Sequence, residues 1–260
     1  MSKPLMREVR GKRVYSDGER DLPSVTTLLG MISKPQLVPW SARLAVEAAW
    51  DMKDELSGKT KDEYLKGLRE EATARRNEKR DLGTAVHQAI EGVMREEVDI
   101  VDLSADIQKY VLAAQDFLDT QVEKVLAMER TVANFEIGYA GTFDMIALRA
   151  DGTHGLLDWK TGGIWPSAYY QLLAYAASDH VWYEEDACWK PHKMLPNIGA
   201  VGVVQLQGDG SWTLFSWSDE EFDVPIALKY IANLRDVWAA DKEMARLEMP
   251  ITNTGIITLT

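Results

Sequence analysis

The first half of the chain carries apolar residues three and four positions apart, which is the spacing typical of amphipathic helices. This pattern predicts four helices, over residues 41–50, 61–80, 82–97 and 106–118. Ahead of them, residues 22–27 indicate a turn that leads into a further helix, with Ser and Thr in capping positions. The sequence therefore predicts that residues 1–120 are mainly helical.

The second half of the chain changes character. Short segments rich in β-branched and aromatic residues predict strands over residues 124–134, 139–150, 155–161, 199–207 and 212–217. Pro166 suits the first turn of a helix over residues 167–178, and a long helix is predicted over residues 219–248. The tail, residues 251–260, favours strand but has no evident place in this order.

This order of elements predicts an α/β (α+β) fold with a central mixed β-sheet flanked by helices and a helical N-terminal part. The chain shows no internal repeat and no low-complexity linker, so one domain is expected over residues 1–260. Residues 1–120 would form its mainly helical part, and residues 121–250 would supply the core sheet and its helices.

Two aspartates and a lysine lie in strongly apolar predicted strands. Asp144 is flanked by apolar side chains, and Asp158 follows two leucines. Because side chains alternate along a strand, Asp158 and Lys160 point to the same face. A buried carboxylate is costly unless it is paired or bound to a metal ion. One interpretation is a buried ion pair of Lys160 with Asp158 or Asp144; the other is a site for a hard cation such as Mg²⁺.

The turn at Asp151-Gly152 decides whether the two aspartates can act together. A two-residue loop would turn Asp144 and Asp158 to opposite faces of the sheet, since a slip of one position reverses every side chain. A three-residue loop over residues 150–152, with Gly152 in a left-handed conformation, places the carboxylates opposite each other on one face. The sequence suits the three-residue loop, and we predict it.

The charge balance bears on the class of partner. The chain of 260 residues is 46% hydrophobic and 27% charged, with a net charge of −12 and a pI near 4.9. Clustered Lys and Arg drive phosphate binding, so this balance argues against a protein that coats nucleic acid. Basic residues nevertheless dominate residues 1–13 and residues 66–80. A short positive groove therefore remains compatible with the composition.

Other features concern the cellular compartment. Cys188 is the single cysteine, which excludes an internal disulfide and a four-cysteine metal site within one chain. No apolar run approaches the ~18 residues of a membrane helix, and the N-terminus lacks the apolar stretch of a secretory signal. These observations predict a cytoplasmic protein with no membrane partner.

The segments around the acidic residues resemble a known family of nucleases. Gly141-Thr-Phe-Asp144 and Asp158-Trp-Lys160 resemble the two acidic motifs of the PD-(D/E)XK nucleases. Gly83-Thr-Ala-Val-His87 resembles an upstream helix motif, and Gln171-Leu-Leu-Ala-Tyr175 resembles the Q-x-x-x-Y motif that follows the lysine strand. The branch with RecB-type nuclease domains, many phage exonucleases and the mitochondrial genome-maintenance exonuclease is the most similar. Residues Pro23 to Thr26, with Lys34, Pro35 and Trp40, resemble the opening of the phage and mitochondrial members.

The resemblance implies roles for individual residues. Asp144, Asp158 and Lys160 would be catalytic. The metal ligands would be His87, Asp144, Asp158 and, as an auxiliary, Glu129. Judged from the residues alone, a solitary histidine such as His87 is more often a packed or surface residue than a ligand. Glu91 suits a partner of the site or an exposed residue equally, and Glu129 suits a strand glutamate paired with Arg130 or Lys124 as well as a ligand.

The Q-x-x-x-Y resemblance implies that Gln171 and Tyr175 contact DNA or support the site, although Tyr175 also suits the core. Basic and hydroxyl side chains near the motifs are the further candidates for substrate binding: Thr161, Ser24, Thr26, Thr84, Arg75, Arg76 and Arg80.

The expected function is that of a Mg²⁺-dependent DNA exonuclease in replication, recombination or repair, in the cytoplasm of a bacterium or a phage-infected host, with Mn²⁺ able to replace Mg²⁺. Its partners would be DNA that is single-stranded or has a free end and, as protein partners, a single-strand-binding protein, a recombinase or a helicase. No P-loop motif is present, so any unwinding must come from another chain. The alternatives are a structure-specific endonuclease, a catalytically silent DNA-binding or assembly protein, and a hydrolase of small phosphoesters, which would need a closed pocket.

Overall fold

The computed structural model describes residues 5–9, 12–16, 20–32, 37–183, 188–191 and 197–246. The strands are β1 (Leu5–Val9), β2 (Lys12–Ser16), β3 (Asp21–Pro23), β4 (Val122–Asn134), β5 (Tyr139–Arg149), β6 (His154–Lys160), β7 (His180–Tyr183), β8 (Cys188–Pro191), β9 (Ala200–Leu206) and β10 (Trp212–Ser218). The α-helices are α1 (Val25–Leu29), α2 (Leu37–Asp51), α3 (Lys61–Met94), α4 (Ala105–Gln121), α5 (Pro166–Ala176) and α6 (Val224–Arg246), and short 3₁₀ helices span Ile100–Asp102 and Asp219–Glu221.

A mixed sheet of seven strands forms the centre, in the order β10-β9-β6-β5-β4-β7-β8. β6 and β9 run parallel, and the other neighbouring pairs run antiparallel. One hydrophobic core joins the sheet to α1, α5 and α6, and includes Leu172 and Ile231. A second core joins it to α3 and α4, and includes Val86 and Phe117. The predicted mixed sheet flanked by helices is confirmed.

The β5–β6 connection has the three-residue loop that the sequence predicted. The backbone N–H of Arg149 bonds to the carbonyl oxygen of Thr153 at 2.9 Å, so residues 150–152 form the loop. Gly152 has a φ of +82°, a left-handed conformation that glycine adopts without a steric penalty. Both features of the turn prediction are therefore confirmed.

Helix α3 is one helix of 34 residues, although the sequence predicted two helices that meet near residue 81. A capping box fixes its start: Thr60 Oγ1 accepts the backbone N–H of Glu63 at 3.4 Å, and the Glu63 carboxylate accepts the backbone N–H of Thr60 at 2.9 Å. No proline interrupts residues 61–94. The prediction of a break was wrong because only the charge pattern changes near residue 81; Gly83 weakens the helix by about 1 kcal/mol but, unlike proline, leaves its hydrogen bonds intact.

Residues 5–23 contain an antiparallel sheet in the order β1-β2-β3, which the sequence analysis missed. Val14 and Tyr15 are both buried although they are neighbours on β2, so the strand lacks the simple alternation that reveals a half-buried strand. Exposed charged residues on β1 and β2 further obscure the pattern. Residues 1–120 are mainly helical as predicted, since α1 to α4 lie there, but the three short strands were not predicted.

The remaining differences between the predicted and the observed elements are small. Strands β7 and β8 were not predicted, and β8 has only four residues. Lys34, Pro35 and residues 247–260, which include the predicted end of the last helix and the β-prone tail, lie outside the described residues. Within the described part of the chain, none of the helices combines the length and the apolar character that a bilayer crossing requires.

Candidate active site

Strands β5 and β6 separate at the position of the two aspartates. Met145 pairs with Leu157 as the final pair of their ladder, and Asp144 and Asp158 are the next residues on each strand. Because opposite residues of antiparallel strands point to the same face, the two carboxylates share one face. Beyond the ladder, the backbone N–H of Trp159 donates to Oδ2 of Asp144 at 2.8 Å. The register thus brings together the aspartates that the sequence singled out.

Asp158 is buried, and its two carboxylate oxygens meet different neighbours. Oδ1 accepts a hydrogen bond from Nε2 of Gln171 at 3.1 Å. Oδ2 forms an ion pair with the Lys160 ammonium, although no donor meets it in hydrogen-bond geometry. Nε2 of Gln171 also lies 3.5 Å from the hydroxyl oxygen of Tyr175, one turn further along α5. The ion pair that the sequence left open is present, and α5 supports the carboxylate from the other side.

His87 reaches the site from α3 and contacts both strands. Its Nε2 lies 2.8 Å from the carbonyl oxygen of Trp159, and its Nδ1 lies 3.4 Å from Oδ2 of Asp144. A carbonyl oxygen can only accept, so Nε2 carries the proton in the first contact. In the neutral ring, Nδ1 then keeps a free lone pair on the side of Asp144, where a cation shared with that carboxylate would bind.

The two residues that flank Glu129 on β4 pair with the two residues that flank Asp144 on β5. Glu129 is therefore opposite Asp144 on the adjacent strand. Its backbone is left-handed, with a φ of +47°. For a residue other than glycine this conformation costs about 1–3 kcal/mol, and such strained residues cluster at functional sites. For Glu91, the sequence left two alternatives, a partner of the site or an exposed residue. It is partly buried on α3 and forms an ion pair with Arg95 at 2.7 Å.

Two carboxyl groups of this site, those of Asp144 and Glu129, resist ionisation. Burial, and then the charge of Asp158, raise the pKa of Asp144 to about 6, although His87 and Lys160 act in the opposite direction. Burial, followed by the charges of Asp144 and Glu91, raises the pKa of Glu129 to about 8. The site therefore contains more carboxyl groups than its own positive charges can keep ionised.

Lys160 is held as an ammonium group. Burial works against its charged form, but the negative charges of Asp158 and Asp144 outweigh burial and raise the pKa of the amine. Its side chain lies on the same face as Asp158 and borders a cleft that opens to solvent. A lysine that stays protonated offsets negative charge, and this favours a role in charge compensation over that of a general base.

The cleft beside Lys160 and His87 has a volume of about 330 Å³. Arg80 and Lys79 on α3 form one wall, and Thr161 and Trp165, from the loop after β6, form another. Of the residues predicted to bind substrate, Thr161 and Arg80 therefore line this cleft. Of the tryptophans near the motifs, Trp165 borders the cleft, whereas Trp40 is on α2.

Arg75 has a different position from the one expected of a phosphate-binding residue. Its Nη1 lies 3.0 Å from Asp51 Oδ2, and its Nε lies 2.7 Å from Glu71 Oε1. The guanidinium therefore joins α2 to α3, and its charge is already matched by two carboxylates. Arg76 is exposed on the same helix, and Thr84 is exposed with its hydroxyl 3.3 Å from the Arg80 carbonyl oxygen.

Ser24 and Thr26 differ in what they can reach. Ser24 is buried as the N-cap of α1, and its Oγ accepts the backbone N–H of Thr27 at 2.9 Å. Its hydroxyl is therefore used by the cap and has no access to a phosphate in this conformation. Thr26 is exposed and borders a second groove, which Arg80 also borders.

Two contacts that hold the site were not found from the sequence. A Cβ atom at Gly141 would lie 2.3 Å from the ring of Tyr175, so any larger residue here would force that ring or the strand to move. Tyr175 is buried, and burial raises the pKa of its hydroxyl well above the ordinary value. The hydroxyl of Tyr15 lies 3.0 Å from Oγ1 of Thr142, and no motif signals this contact.

A scan of the chain against models of known protein families finds no match, and a comparison with curated proteins finds no similar sequence. The function must therefore be inferred from the chemistry of the site.

The donor atoms of the site fit a hard divalent cation. Mg²⁺ prefers oxygen ligands, and Asp144, Asp158 and Glu129 bring carboxylates towards one region, with His87 beside Asp144. Burial and, after it, the negative charge of neighbouring carboxylates raise the pKa of Asp144 and of Glu129, and a cation would compensate that charge. Among the residues that the structure describes, no three His, Cys, Asp or Glu side chains form a cluster that could hold an ion as it stands. The side chains must therefore draw together to bind one.

Proposed function

We propose that this chain is a magnesium-dependent deoxyribonuclease of the PD-(D/E)XK type, acting as an exonuclease. The observation that carries the proposal is the placement of Asp144 and Asp158 on one face, with Lys160 beside them, where an open cleft reaches the sheet. The loop length predicts this placement without reference to any motif, so register and resemblance support the proposal separately.

His87, Asp144 and Asp158 would hold Mg²⁺, with Glu129 as an auxiliary ligand on the neighbouring strand. Mn²⁺ is expected to replace Mg²⁺ because it accepts the same carboxylate and water ligands. When bound, the cation supplies Lewis acidity at the phosphate and lowers the pKa of a coordinated water.

The chain's own residues keep the reacting groups in place. Gln171 fixes one oxygen of Asp158, and the Trp159 N–H fixes one oxygen of Asp144. In hydrolysis, a water oxygen bonds to phosphorus, the bond from phosphorus to the leaving oxygen breaks, and that oxygen takes up a proton. The Lys160 ammonium borders the cleft and offsets the negative charge that grows on the phosphate.

The shape of the cleft favours a polymer as substrate. A hydrolase of small phosphoesters would enclose its substrate, whereas this cleft opens to solvent and its wall residue Arg80 also borders a second groove. The preference for an exonuclease over an endonuclease rests on the resemblance to phage and mitochondrial exonucleases.

The experiment that tests the proposal is degradation of end-labelled single-stranded and double-stranded DNA in Mg²⁺, in Mn²⁺ and in EDTA. We expect wild type to shorten the DNA with either metal and to leave it intact in EDTA. Lys160→Ala should abolish cleavage, whereas Lys66→Ala, at an exposed lysine on the first turns of α3, should cleave as wild type does.

Three outcomes would contradict parts of the proposal. Cleavage of a covalently closed single-stranded circle would show an endonuclease. Binding of DNA without cleavage in any metal would favour a silent binding protein. Cleavage that persists in Lys160→Ala would remove the proposed site from the reaction.

A further inference from the structure

A second groove, larger than the cleft, lies beside the N-terminal sheet and has no part in the proposed reaction. Its volume is about 1150 Å³. We call it the basic groove; its polar lining includes Arg7, Glu8, Lys12, Arg13, Thr26 and Arg80. Arg80 borders both the basic groove and the cleft, so the two are neighbours along one surface.

The charge of the basic groove contrasts with that of the whole chain. Four of its lining residues are basic and one, Glu8, is acidic, in a protein with a net charge of −12. Arg7 pairs with Asp21 at 2.5 Å and Arg80 with Asp81 at 3.0 Å, yet their side chains stay 48% and 70% exposed. Exposed pairs of this kind are weak, and a phosphate can replace the carboxylate. Arg13 is exposed on β2.

The basic groove is fixed relative to the candidate active site. Arg13 lies on β2 two residues before Tyr15, and Tyr15 contacts Thr142, two residues before Asp144. A β-bridge also joins Ser24 to Ala140 on the same strand, β5. The N-terminal sheet is therefore attached directly to the strand that carries Asp144, so that a chain held in the groove would have a defined path to the cleft.

We propose that the basic groove binds the phosphates of the same single DNA strand whose reacting end lies in the cleft, several nucleotides from the bond that is cut. This inference rests on the proposed function. Arginine and lysine side chains bind phosphate irrespective of base sequence. Trp165 and Ile164 border the cleft and offer apolar surface to unpaired bases, which a duplex would keep stacked within itself. A single strand is therefore the form that fits both surfaces.

The test measures affinity in EDTA, where no cleavage occurs, by fluorescence anisotropy of oligothymidines of about 4 and about 16 nucleotides. The variant replaces Arg7, Lys12 and Arg13 with Gln. We expect its affinity for the long strand to fall roughly tenfold to a hundredfold near 0.1 M salt, and the slope of log affinity against log salt to lose about 2 units. The short strand should lose less than about threefold, since it spans only the cleft.

A matched control removes the same charge elsewhere. Lys61, Lys66 and Arg69 are exposed on the first turns of α3, away from both grooves, and their replacement by Gln should leave affinity and salt slope as in wild type. Arg13→Gln alone, a smaller change, should cost roughly fivefold on the long strand. Circular dichroism and the melting temperature check that each variant is folded.

The results separate this inference from the proposed function. If the groove variant binds the long strand as wild type does, or if duplex DNA loses more affinity than the single strand, the groove proposal is wrong even when wild type cleaves DNA. If the long strand alone loses affinity while wild type cleaves no DNA in any metal, the groove stands and the nuclease proposal fails. Equal losses for the α3 control would show a general charge effect and overturn the groove.

Discussion

Two hairpins in this molecule place their charged side chains in opposite environments, one buried and the other exposed to solvent. The buried hairpin, β5 and β6, places Asp144, Asp158 and Lys160 among apolar side chains, where each polar group is held by a specific neighbour. The basic hairpin, β1 and β2, exposes Arg7 and Arg13 to solvent. Charges in the first are strongly coupled because little water screens them, whereas charges in the second are screened by solvent, so that even the ion pair of Arg7 with Asp21 is weak.

This difference in burial suggests that the two hairpins would contribute to one function in different ways. A coupled, buried group is expected to act in an all-or-none manner, since its loss leaves a partner without compensation. An exposed cation adds a graded, salt-dependent increment to affinity. Substitutions in and around the buried hairpin can test whether its groups have these large, coupled effects.

The largest expected effect comes from Asp144→Asn, which removes a proposed metal ligand and a charge but keeps the shape. We expect the cleavage rate in Mg²⁺ to fall about a thousandfold or more, because the phosphate loses its electrostatic activation. Asp106→Asn, at an exposed residue of α4, is the matched control and should cleave normally. A loss of less than about tenfold in Asp144→Asn would place the chemistry elsewhere and break the comparison.

A smaller effect is expected from Gln171→Ala, because Gln171 positions Asp158 without being a metal ligand. We expect kcat to fall about tenfold to a hundredfold while KM for DNA changes little. Gln115→Ala removes a similar hydrogen bond, to Asp119 at 2.8 Å, far from the site and should leave kcat unchanged. A change confined to KM would instead indicate direct contact of Gln171 with the substrate.

Gly141→Ala tests the packing of the buried hairpin. The added Cβ would lie 2.3 Å from the Tyr175 ring, and we expect unfolding in urea to show a destabilisation of about 1–3 kcal/mol. In a double-mutant cycle, Tyr175→Ala should relieve much of this cost. Gly162→Ala, where a Cβ meets no atom within 4 Å, is the control. Equal stabilities of the two alanine variants would contradict the close approach.

The smallest effect concerns Glu129 and pH. Its pKa in the folded chain is about 8, above its ordinary value of 4.5, so ionisation of this carboxyl opposes folding and stability falls as pH rises between those values. Without metal, Glu129→Gln should therefore melt about 2–5 °C above wild type near pH 8, and the difference should vanish near pH 4.5. Mg²⁺ should stabilise wild type more than the variant. A difference that does not change with pH would contradict the raised pKa.

Much of the central sheet could be predicted from the sequence because local signals agree there. The apolar strands flank a turn with Asp151 and Gly152, and this turn alone determines that Asp144 and Asp158 share a face. The N-terminal sheet could not be predicted, because its short strands are stabilised by contacts with β5 such as that of Tyr15 with Thr142. Such contacts join residues far apart in sequence.

The candidate site, like the fold, could be predicted from the sequence only in part. Asp158 and Lys160 could be placed together because they are two residues apart on one strand. The left-handed backbone of Glu129 has no local signal, since residues other than glycine adopt it only when the surrounding structure requires it. Arg75 was expected to bind phosphate because of its charge, but its partners Asp51 and Glu71 depend on how α2 packs against α3.

Because α3 is long, the place where it is anchored decides how well His87 keeps its position. At a rise of 1.5 Å per residue, His87 lies about 40 Å from the capped start of the helix, and a tilt of about 3° at that start would displace the imidazole by about 2 Å. However, Val86, Ala89 and Ile90, around His87 on α3, are buried in the core that joins the helix to the sheet, so α3 is anchored at the imidazole itself and such a tilt would move the charged start of the helix instead. A misplacement of about 1 Å can already cost a hundredfold in rate. The buried turn of α3 thus fixes the imidazole, while the ion pairs of Arg75 join the exposed half of the same helix to α2.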